Sequence, residues 1–428
     1  MKRLFYFIVI TALFLSMAIG VNAQKPFEGQ VLNISTMDGK PLTTILEVLP
    51  LFEERTGAKV IIDSAYSSDA HAKAMLSMAS GSGAYDLVMW STEFAGEIYQ
   101  YLEPLTDYIA KEDDPTNFTS DFLPFIQKEM QYDDVWYALP YRVNTFALAY
   151  RTDLFKKYGV STDINTMTDL KEACKKLILD TTGDGKTDTW AIALIGSPKA
   201  AYFFVNPFIW AYGADYFDKD WNCTINAPEF VAAIENFVSL FEYSVPGSKD
   251  FSDDEALTAM QQGKGVMCLT ESPYIMKMTD PEQSTVWDKI SVLPVPIEKP
   301  GYISNFSSCF GHGIAKDAKN KPLAWEFIKY LASRESIITM AEKFGNMPSR
   351  VSVFNDPLME KAIPGFAAWS KALMSGRGLL VFPESSEILT IFGEELAQAI
   401  TGTKTPKQAC DDAAERAIEV MTEAGYYN

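Results

Sequence analysis

The chain has 428 residues, of which 47% are hydrophobic and 22% are charged, values typical of a globular protein. This length predicts two domains with a large buried core, so the fold does not need a disulfide framework. The formal net charge of -19 indicates a chain that should repel nucleic acid and anionic membrane surfaces, and we expect no nucleic-acid partner.

The N-terminus has the pattern of a secretory signal peptide over residues 1–23. Met1-Lys2-Arg3 is positive, residues 4–19 are almost wholly apolar, and small residues precede an expected cut after Ala23. The apolar run is shorter than the roughly 20 residues of a membrane span. There is no Cys near the cut, so an N-terminal lipid anchor is not expected. The alternative is an uncleaved anchor helix. We expect the mature chain to be periplasmic or extracellular.

The next stretch alternates strands and helices. Strands are predicted at residues 30–35, 59–63 and 86–90, with helices at 42–52, 70–80 and 97–102. This alternation predicts an α/β fold with a parallel sheet and right-handed crossovers. Ligands of such sheets bind beyond the carboxyl ends of the strands, where the loops 36–38, 64–69 and 91–93 lie.

An aromatic-rich segment at residues 135–150 is strand-like, but Pro140 argues against a central strand there and predicts a crossover or an edge. Helices are predicted at 152–158, 168–179 with Thr168 as N-cap, 202–210, 228–243 and 256–262. Strands are predicted at 189–195, 265–270 and 290–296. Residues 322–344 and 387–424 are predicted to be helical, with Thr405 as an N-cap before Pro406.

Catalytic signatures are scarce. The chain has two histidines, and neither an HExxH nor a GxSxG motif occurs, which leaves little for a catalytic triad or a His-rich metal site. A glycoside hydrolase needs only two carboxylates, and Asp38, Asp63, Glu93 and Glu271 are candidates. The same side chains could equally accept hydrogen bonds from ligand hydroxyls.

One segment is similar to part of a calcium loop, with Gly185 at the position of the sharp turn. The acidic residue expected at the twelfth position is missing, because Ala191 stands there. A polar turn is therefore the alternative, and we expect no cofactor other than a structural calcium ion. The candidate ligands are Asp180, Thr182, Asp184, Lys186 and Asp188.

The five cysteines are far apart and form no Cys-x-x-Cys pair, which argues against a zinc ribbon or a thioredoxin-like site. At least one thiol is free because the count is odd, and a disulfide among the others stays open. Cys410 lies on an apolar helical face and is predicted to be a buried small hydrophobe.

Aromatic residues make up 13% of the chain, and several lie at predicted turns and element ends. Flat rings suit the apolar faces of sugars, while carboxylates and amides pair with the hydroxyls. The alternative is that these rings fill the core. They are Trp90, Tyr141, Tyr202, Trp210, Tyr212, Tyr274 and Phe310.

Five segments, in order, resemble those of the extracellular solute-binding proteins of bacterial ABC importers, in the maltose-binding-like sugar class. They are residues 86–109 (DLVMWSTEFAGEIYQYLEPLTDYI), 135–160 (with LPY and YRTDLF), 260–274 (MQQGKGVMCLTESPY), 311–333 and 344–350 (FGNMPSR). The resemblance implies a periplasmic-binding-protein type II fold with two α/β lobes. The first lobe would comprise residues 24–144 and 301–347, and the second 145–300 and 348–428.

The resemblance also implies a ligand cleft between the lobes, with chain crossings near Asn144, Pro300 and Pro348. Trp90 would stack on a sugar ring, Glu93 would accept from hydroxyls, and Glu271 would face the cleft from the second lobe. The family's glycine-rich turn is replaced by the bulkier segment 304–308. The implied ligand set is Asp38, Tyr66, Ser67, Trp90, Thr92, Glu93, Tyr141, Arg142, Asn144, Trp210, Glu271, Tyr274, Asn305, Ser307 and Arg350.

Arg142 and Arg350 are also suited to a planar carboxylate, which leaves an acidic sugar open, or they form ordinary salt bridges between the lobes. The resemblance implies a monomeric binding protein, not an enzyme, that delivers a carbohydrate to a membrane permease. The alternatives are a same-fold binder of a polyamine or another small solute, a secreted glycoside hydrolase, and a surface adhesion module.

Overall fold

The computed structural model describes residues 25–427, apart from residues 199, 375, 380 and 381 and the side chains of Ser67 and Glu93. The predicted signal peptide and its cleavage site lie outside the described residues. Within the described part, no helix is both long and apolar enough to cross a membrane.

The strands are β1 (Val31–Met37), β2 (Lys59–Ala65), β3 (Leu87–Ser91), β4 (Gln131–Tyr132), β5 (Val135–Trp136), β6 (Leu139–Arg151), β7 (Trp190–Ile192), β8 (Gly265–Glu271), β9 (Ile290–Leu293) and β10 (Ser307–Ile314). Most lie within two or three residues of the predicted positions. β10 was not predicted, and β7 is shorter than expected.

The α-helices are α1 (Lys40–Thr56), α2 (Ser67–Ser80), α3 (Ala95–Ile98), α4 (Thr106–Ile109), α5 (Pro115–Ser120), α6 (Pro124–Glu129), α7 (Thr152–Tyr158), α8 (Met167–Lys176), α9 (Ala201–Phe204), α10 (Asn206–Ala211), α11 (Pro228–Ser239), α12 (Asp253–Gln261), α13 (Ser272–Met278), α14 (Lys321–Leu331), α15 (Arg334–Phe344), α16 (Val351–Phe354), α17 (Met359–Ala362), α18 (Phe366–Met374), α19 (Ser385–Thr401) and α20 (Pro406–Glu423).

Helix starts follow local capping chemistry. Thr405 caps α20 as predicted, because its side chain accepts a hydrogen bond from the Gln408 amide at 3.2 Å. The N-cap predicted at Thr168 is wrong. Thr166 caps α8, because its hydroxyl accepts a hydrogen bond from the Asp169 amide at 2.9 Å while its own amide donates to Asp169 Oδ2 at 2.9 Å. The Thr168 hydroxyl instead donates to Glu298 at 2.8 Å.

The sheet has the strand order β2-β1-β3-β10-β6-β8-β7, and β9 also pairs with β6. β1 runs parallel to β2 and β3, as predicted, and β7 runs parallel to β8. The expectation of a parallel sheet is wrong at the centre, where β10 is antiparallel to β3 and β6, and β6 is antiparallel to β8 and β9. The reversal occurs where the chain crosses from one half of the sheet to the other.

β6 belongs to both halves of the sheet. Residues up to Thr145 pair with β10, whereas residues from Phe146 onward pair with β8 and β9. We call the half with β1, β2, β3 and β10 the first lobe and the half with β7, β8 and β9 the second lobe. Pro140 lies in the half of β6 that has β10 on one side and no named strand of the described residues on the other. Its missing N–H is tolerated there, as the edge prediction required.

All five cysteines lie within the described residues and are free thiols. Cys410 is 1% exposed, which confirms its prediction as a buried hydrophobe. Burial raises the pKa of the Cys410 thiol to about 12. The thiolate, which is the nucleophilic form, is therefore scarce at neutral pH, and the thiol is unreactive.

Candidate ligand-binding site

Five side chains share one face of the sheet where β3, β10 and β6 lie side by side. Phe310 of β10 is paired with Ser91 of β3 and with Arg142 of β6, and Ser308 is paired with Asn144. Directly paired residues of neighbouring strands project to the same face. We call these five residues the cleft floor.

Four polar atoms of the cleft floor are buried without a hydrogen-bond partner. They are Ser91 Oγ, Arg142 Nε, Asn144 Oδ1 and Ser308 Oγ. Leaving a buried polar atom unpaired costs roughly 1–3 kcal/mol, so most such atoms in proteins are satisfied. A cluster of four on one face is therefore poorly explained by packing, and it fits a surface that hydrogen-bonds a polar ligand.

A charged group of the second lobe stands next to the cleft floor and meets Lys40 of the first lobe. Lys40 Nζ lies 3.6 Å from Glu271 Oε2, 3.6 Å from Asp253 Oδ2 and 3.0 Å from the centre of the Tyr274 ring. The Tyr274 hydroxyl donates to Asp253, and Asn144 Nδ2 donates to Glu271 Oε2 at 3.2 Å. We call Lys40, Asp253, Glu271 and Tyr274 the ion cluster. It holds the two lobes in contact.

Burial sets the electrostatics of the ion cluster. It lowers the pKa of Lys40, against the opposing effect of the Glu271 and Asp253 carboxylates. It raises the pKa of Asp253, against the effect of Lys40. Both shifts disfavour the charged forms, and mutual pairing offsets this cost.

Asn305 and Ser307 lie at the crossing between the lobes. Asn305 Nδ2 donates to Thr145 Oγ1 at 2.7 Å and to the Ala372 carbonyl at 2.6 Å. The hydroxyls of Ser307 and Thr145 are 3.0 Å apart. These bonds tie the start of β10 to β6, so Asn305 and Ser307 support the hinge in this arrangement.

Arg377, which is not among the predicted ligand residues, borders the crossing between the lobes. The Arg377 guanidinium lies 4.2 Å from the centre of the Trp210 ring, and its Nη2 is 2.5 Å from Asp215 Oδ2. Its neighbour Gly378 lies directly against the carboxylate of Glu129, which accepts a hydrogen bond from Thr92. The segment 376–378 therefore brings the second lobe onto the first.

Glu129 should make stability depend on pH. Burial raises its pKa to about 7 from the ordinary 4.5, although the Thr92 hydroxyl and Arg377 act in the opposite direction. Between these two values the folded chain binds a proton that the unfolded chain has lost, so the free energy of unfolding falls as pH rises through this window. Glu129→Gln should remove this loss and be more stable than the original at about pH 8, by on the order of 1–3 kcal/mol.

Urea unfolding at about pH 5 and about pH 8 measures this effect. Glu54→Gln is the matched control, because Glu54 is an exposed carboxylate and its replacement should leave the pH profile unchanged. Equal pH profiles for Glu129→Gln and the original chain would contradict the prediction.

The remaining predicted ligand residues differ in where their side chains lie. Trp90 is fully buried and its Nε1 donates to the Glu129 carbonyl at 2.7 Å. Tyr141 is buried in the core of the first lobe, where burial raises its hydroxyl pKa. Asp38 and Tyr66 are exposed beside the carboxyl ends of β1 and β2. Sugar stacking by Trp90 and ligand contacts of Ser67 and Glu93 remain predictions.

Arg350 is turned away from the cleft floor. Its Nε donates to the Ala332 carbonyl at 2.5 Å, its Nη1 lies 3.2 Å from Asp121 Oδ2, and its guanidinium lies 4.3 Å from the centre of the Phe122 ring. All of these partners belong to the first lobe. Arg350 therefore forms a salt bridge within one lobe in this structure, and its ligand role remains a prediction.

The segment predicted as a calcium loop is an exposed turn stabilised by its own carboxylates. Asp180 accepts hydrogen bonds from the amides of Gly183 and Gly185, and Asp188 accepts from those of Thr181 and Thr182. Desolvation acts to raise the pKa of Asp188, but hydrogen bonds from the Thr189 and Thr181 hydroxyls and from the Thr181 and Thr182 amides hold it down to about 2. No group of three or more His, Cys, Asp or Glu side chains in the described part of the chain is arranged to hold a metal ion. Calcium remains a prediction.

Sequence reasoning missed Lys40, Asp253 and Arg377. Lys40 starts α1 directly after β1, so the strand-end argument that selected Asp38 could have found it. Asp253 starts α12 and Arg377 follows α18. Neither position is marked by a local pattern that points to the cleft.

Two lobes that share one strand and enclose a polar floor between them define a hinged binding protein. Residues 37–337 match the family of bacterial extracellular solute-binding proteins, and this match covers well over half of the chain. The chain therefore belongs to that family, which confirms the resemblance found in the sequence.

Individual relatives share the fold at low identity. The chain is 23% identical to the mannitol-binding protein of Pseudomonas aeruginosa over 368 residues, 80% of each chain. It is similar to an ABC transporter solute-binding protein of Agrobacterium vitis S4 solved with D-mannitol, with a TM-score of 0.82, 24% identity and coverage of 94% of this chain and 100% of that one. Maltose-bound T. maritima MalE3 gives a TM-score of 0.81, 21% identity and coverage of 92% and 100%. These likenesses confirm the predicted two-lobed fold.

Proposed function

We propose that this protein is the substrate-binding component of an ABC importer, which captures a carbohydrate or polyol between its lobes and delivers it to a membrane permease. The observation that carries the proposal is the cleft floor, where four buried polar atoms lack partners around the Phe310 ring. Hydroxyls of a sugar both donate and accept, so they suit the mixed donors and acceptors of Ser91, Arg142, Asn144 and Ser308.

The names of the relatives agree with this ligand class. The Pseudomonas aeruginosa relative is a mannitol-binding protein, and the two structures carry D-mannitol and maltose. The protein would be a periplasmic or extracellular monomer released by cleavage of the signal peptide. Ligand touches both lobes only in the closed form, so binding shifts the population towards closure.

Binding without catalysis is the favoured mode. A glycoside hydrolase needs two carboxyl groups free to act on one glycosidic bond. Glu271 is instead bound by Asn144 and Lys40, and Asp253 by Tyr274 and Lys40. We therefore propose that the cleft makes and breaks no covalent bond.

The ion cluster supports a second candidate, a same-fold binder of a polyamine. Two carboxylates and the face of the Tyr274 ring surround the Lys40 ammonium, which is the arrangement that recognises a cationic amine. A polyamine would have to displace Lys40 from this position. The carbohydrate proposal is preferred because it also employs the unpaired atoms of the cleft floor.

A thermal-shift screen of residues 24–428 tests both candidates. The screen uses mannitol, ribitol, maltose, glucose and a polyamine, each with and without calcium. A ligand at about a hundred times its Kd adds roughly 2.7 kcal/mol of stability and raises Tm. Chromatography of the incubated sugars checks that no product forms.

Ser308→Ala and Asn144→Ala should reduce the shift produced by the sugar. Ser80→Ala is the matched control, because Ser80 is exposed at the end of α2. A shift with the polyamine and with none of the sugars or polyols would overturn the carbohydrate proposal in favour of the second candidate.

A further inference from the structure

Arg142 is the group in the cleft floor whose burial is hardest to explain by packing. Its side chain is 3% exposed, and Nε has no partner. Among the described side chains, no carboxylate lies within ion-pair distance of its guanidinium. Arginine stays protonated in proteins, so this position holds a buried positive charge whose Nε–H has no acceptor.

The neighbours of Arg142 fix the plane of the guanidinium. Phe310, its cross-strand neighbour, places its ring 4.8 Å from Cζ. An aromatic ring holds the face of a guanidinium and leaves the N–H groups of its edge free to donate. Burial lowers the pKa of Arg142, while Glu271 and Asp253 act in the opposite direction.

The two nearby carboxylates are already occupied. Glu271 accepts from Asn144 and pairs with Lys40, and Asp253 accepts from Tyr274 and pairs with Lys40. Among the described side chains, Arg142 therefore has no direct ion-pair partner, and the edge of its guanidinium is available to a bound ligand. A planar carboxylate matches the fork of a guanidinium with two parallel hydrogen bonds.

We infer that the ligand is a sugar acid, whose carboxylate binds Arg142 while its hydroxyls bind Ser91, Asn144 and Ser308. This inference rests on the proposed function and narrows its substrate class from carbohydrates in general to polyhydroxy carboxylates such as uronates. Neutral sugars would leave Arg142 without a direct ion-pair partner among the described side chains, so they should bind more weakly.

Calorimetric titration of matched sugar pairs tests the inference. Galacturonate is compared with galactose, and glucuronate with glucose, because the members of each pair differ only in a carboxylate that replaces a hydroxymethyl group. The original chain should bind at least one acid about ten-fold or more tighter than its neutral partner. Arg142→Gln should bring that ratio close to one, and Arg142→Lys should retain part of it, since lysine keeps the charge but loses the fork.

The melting temperature of the ligand-free protein separates a ligand role from a structural role. Removing a buried, unpaired charge should raise or preserve Tm in Arg142→Gln. If Arg142 mainly held the fold together, Tm would fall and both members of a sugar pair would lose affinity equally, which would overturn the inference.

The outcomes distinguish this inference from the proposed function. Equal or tighter binding of the neutral partners by the original chain would overturn the sugar-acid inference and leave the carbohydrate proposal intact. Binding of a polyamine with no binding of any sugar, polyol or sugar acid would overturn both.

Discussion

Replacing Gly96 by alanine should weaken ligand binding by about 30-fold while leaving Tm within a few degrees of the original. Gly96 lies in α3 of the first lobe, where a Cβ atom would be 2.6 Å from the carbonyl oxygen of Phe382 and 2.8 Å from its Cα. Phe382 lies in the segment predicted to belong to the second lobe and packs on Phe217 and Trp221, so we expect the clash to be between the backbones of the two lobes. No rotamer change can relieve it, so the arrangement in which these two segments touch becomes unfavourable, and we expect this arrangement to be the ligand-bound one.

The loss of affinity follows from the population of the closed form. For a ligand that binds only the closed state, the apparent Kd equals the intrinsic Kd divided by the fraction of closed molecules. A 30-fold rise in the apparent Kd corresponds to about 2 kcal/mol. Alanine is favoured over glycine within a helix by roughly 1 kcal/mol, so the first lobe itself should not be destabilised.

Calorimetric titration measures the affinity, and small-angle X-ray scattering checks for a more open molecule. Gly393→Ala is the matched control, because it also lies in a helix but its added Cβ would meet neighbours at ordinary distances of 3.4 Å and more, all in the second lobe. Unchanged affinity in Gly96→Ala would show that the bound form does not use this contact.

Replacing Phe146 by alanine should lower the free energy of unfolding by about 3–5 kcal/mol. Phe146 is fully buried and is the first residue of β6 that pairs with the second lobe. Its ring centroid lies 5.0 Å from that of Phe204, 5.2 Å from Phe306 and 5.8 Å from Phe203. The substitution would leave a cavity at the point where the two lobes are joined.

Urea unfolding followed by circular dichroism measures the loss. Leu76→Ala is the matched control, since Leu76 is 74% exposed and its truncation should change stability by less than about 0.5 kcal/mol. A loss below about 1 kcal/mol for Phe146→Ala would show that its surroundings collapse to fill the space, and that the hinge is more plastic than its packing indicates.

The sequence predicted most strands and helices because their apolar periodicity is strong. β10 escaped prediction because Gly311, His312 and Gly313 interrupt its apolar pattern, although the strand is fully buried. Gly311 and Gly313 each face backbone atoms of neighbouring residues closer than a Cβ permits. This requirement comes from tertiary packing, so no local pattern could show that the segment is a central strand.

The site was harder to predict than the fold, because the residues that line the site depend on the direction in which each side chain points. Trp90 and Ser91 are adjacent in β3, and successive residues of a strand point to opposite faces. Ser91 shares the face of Phe310, whereas Trp90 is fully buried on the other. Arg142 and Arg350 are the same residue type at two crossings, yet Asp121 and Ala332 bind Arg350 within the first lobe.

The pairing of β10 also constrains the order in which the molecule can fold. β10 lies between β3 and β6, so the first lobe has no continuous sheet before residues 307–314 arrive. Thr145 and Ser307 are 162 positions apart. The conformational entropy lost on closing a loop of this length must be overcome before the strand pairing can stabilise the lobe. The lobe that begins first along the chain is therefore completed late, after the whole of the second lobe's strand-bearing segment has been synthesised.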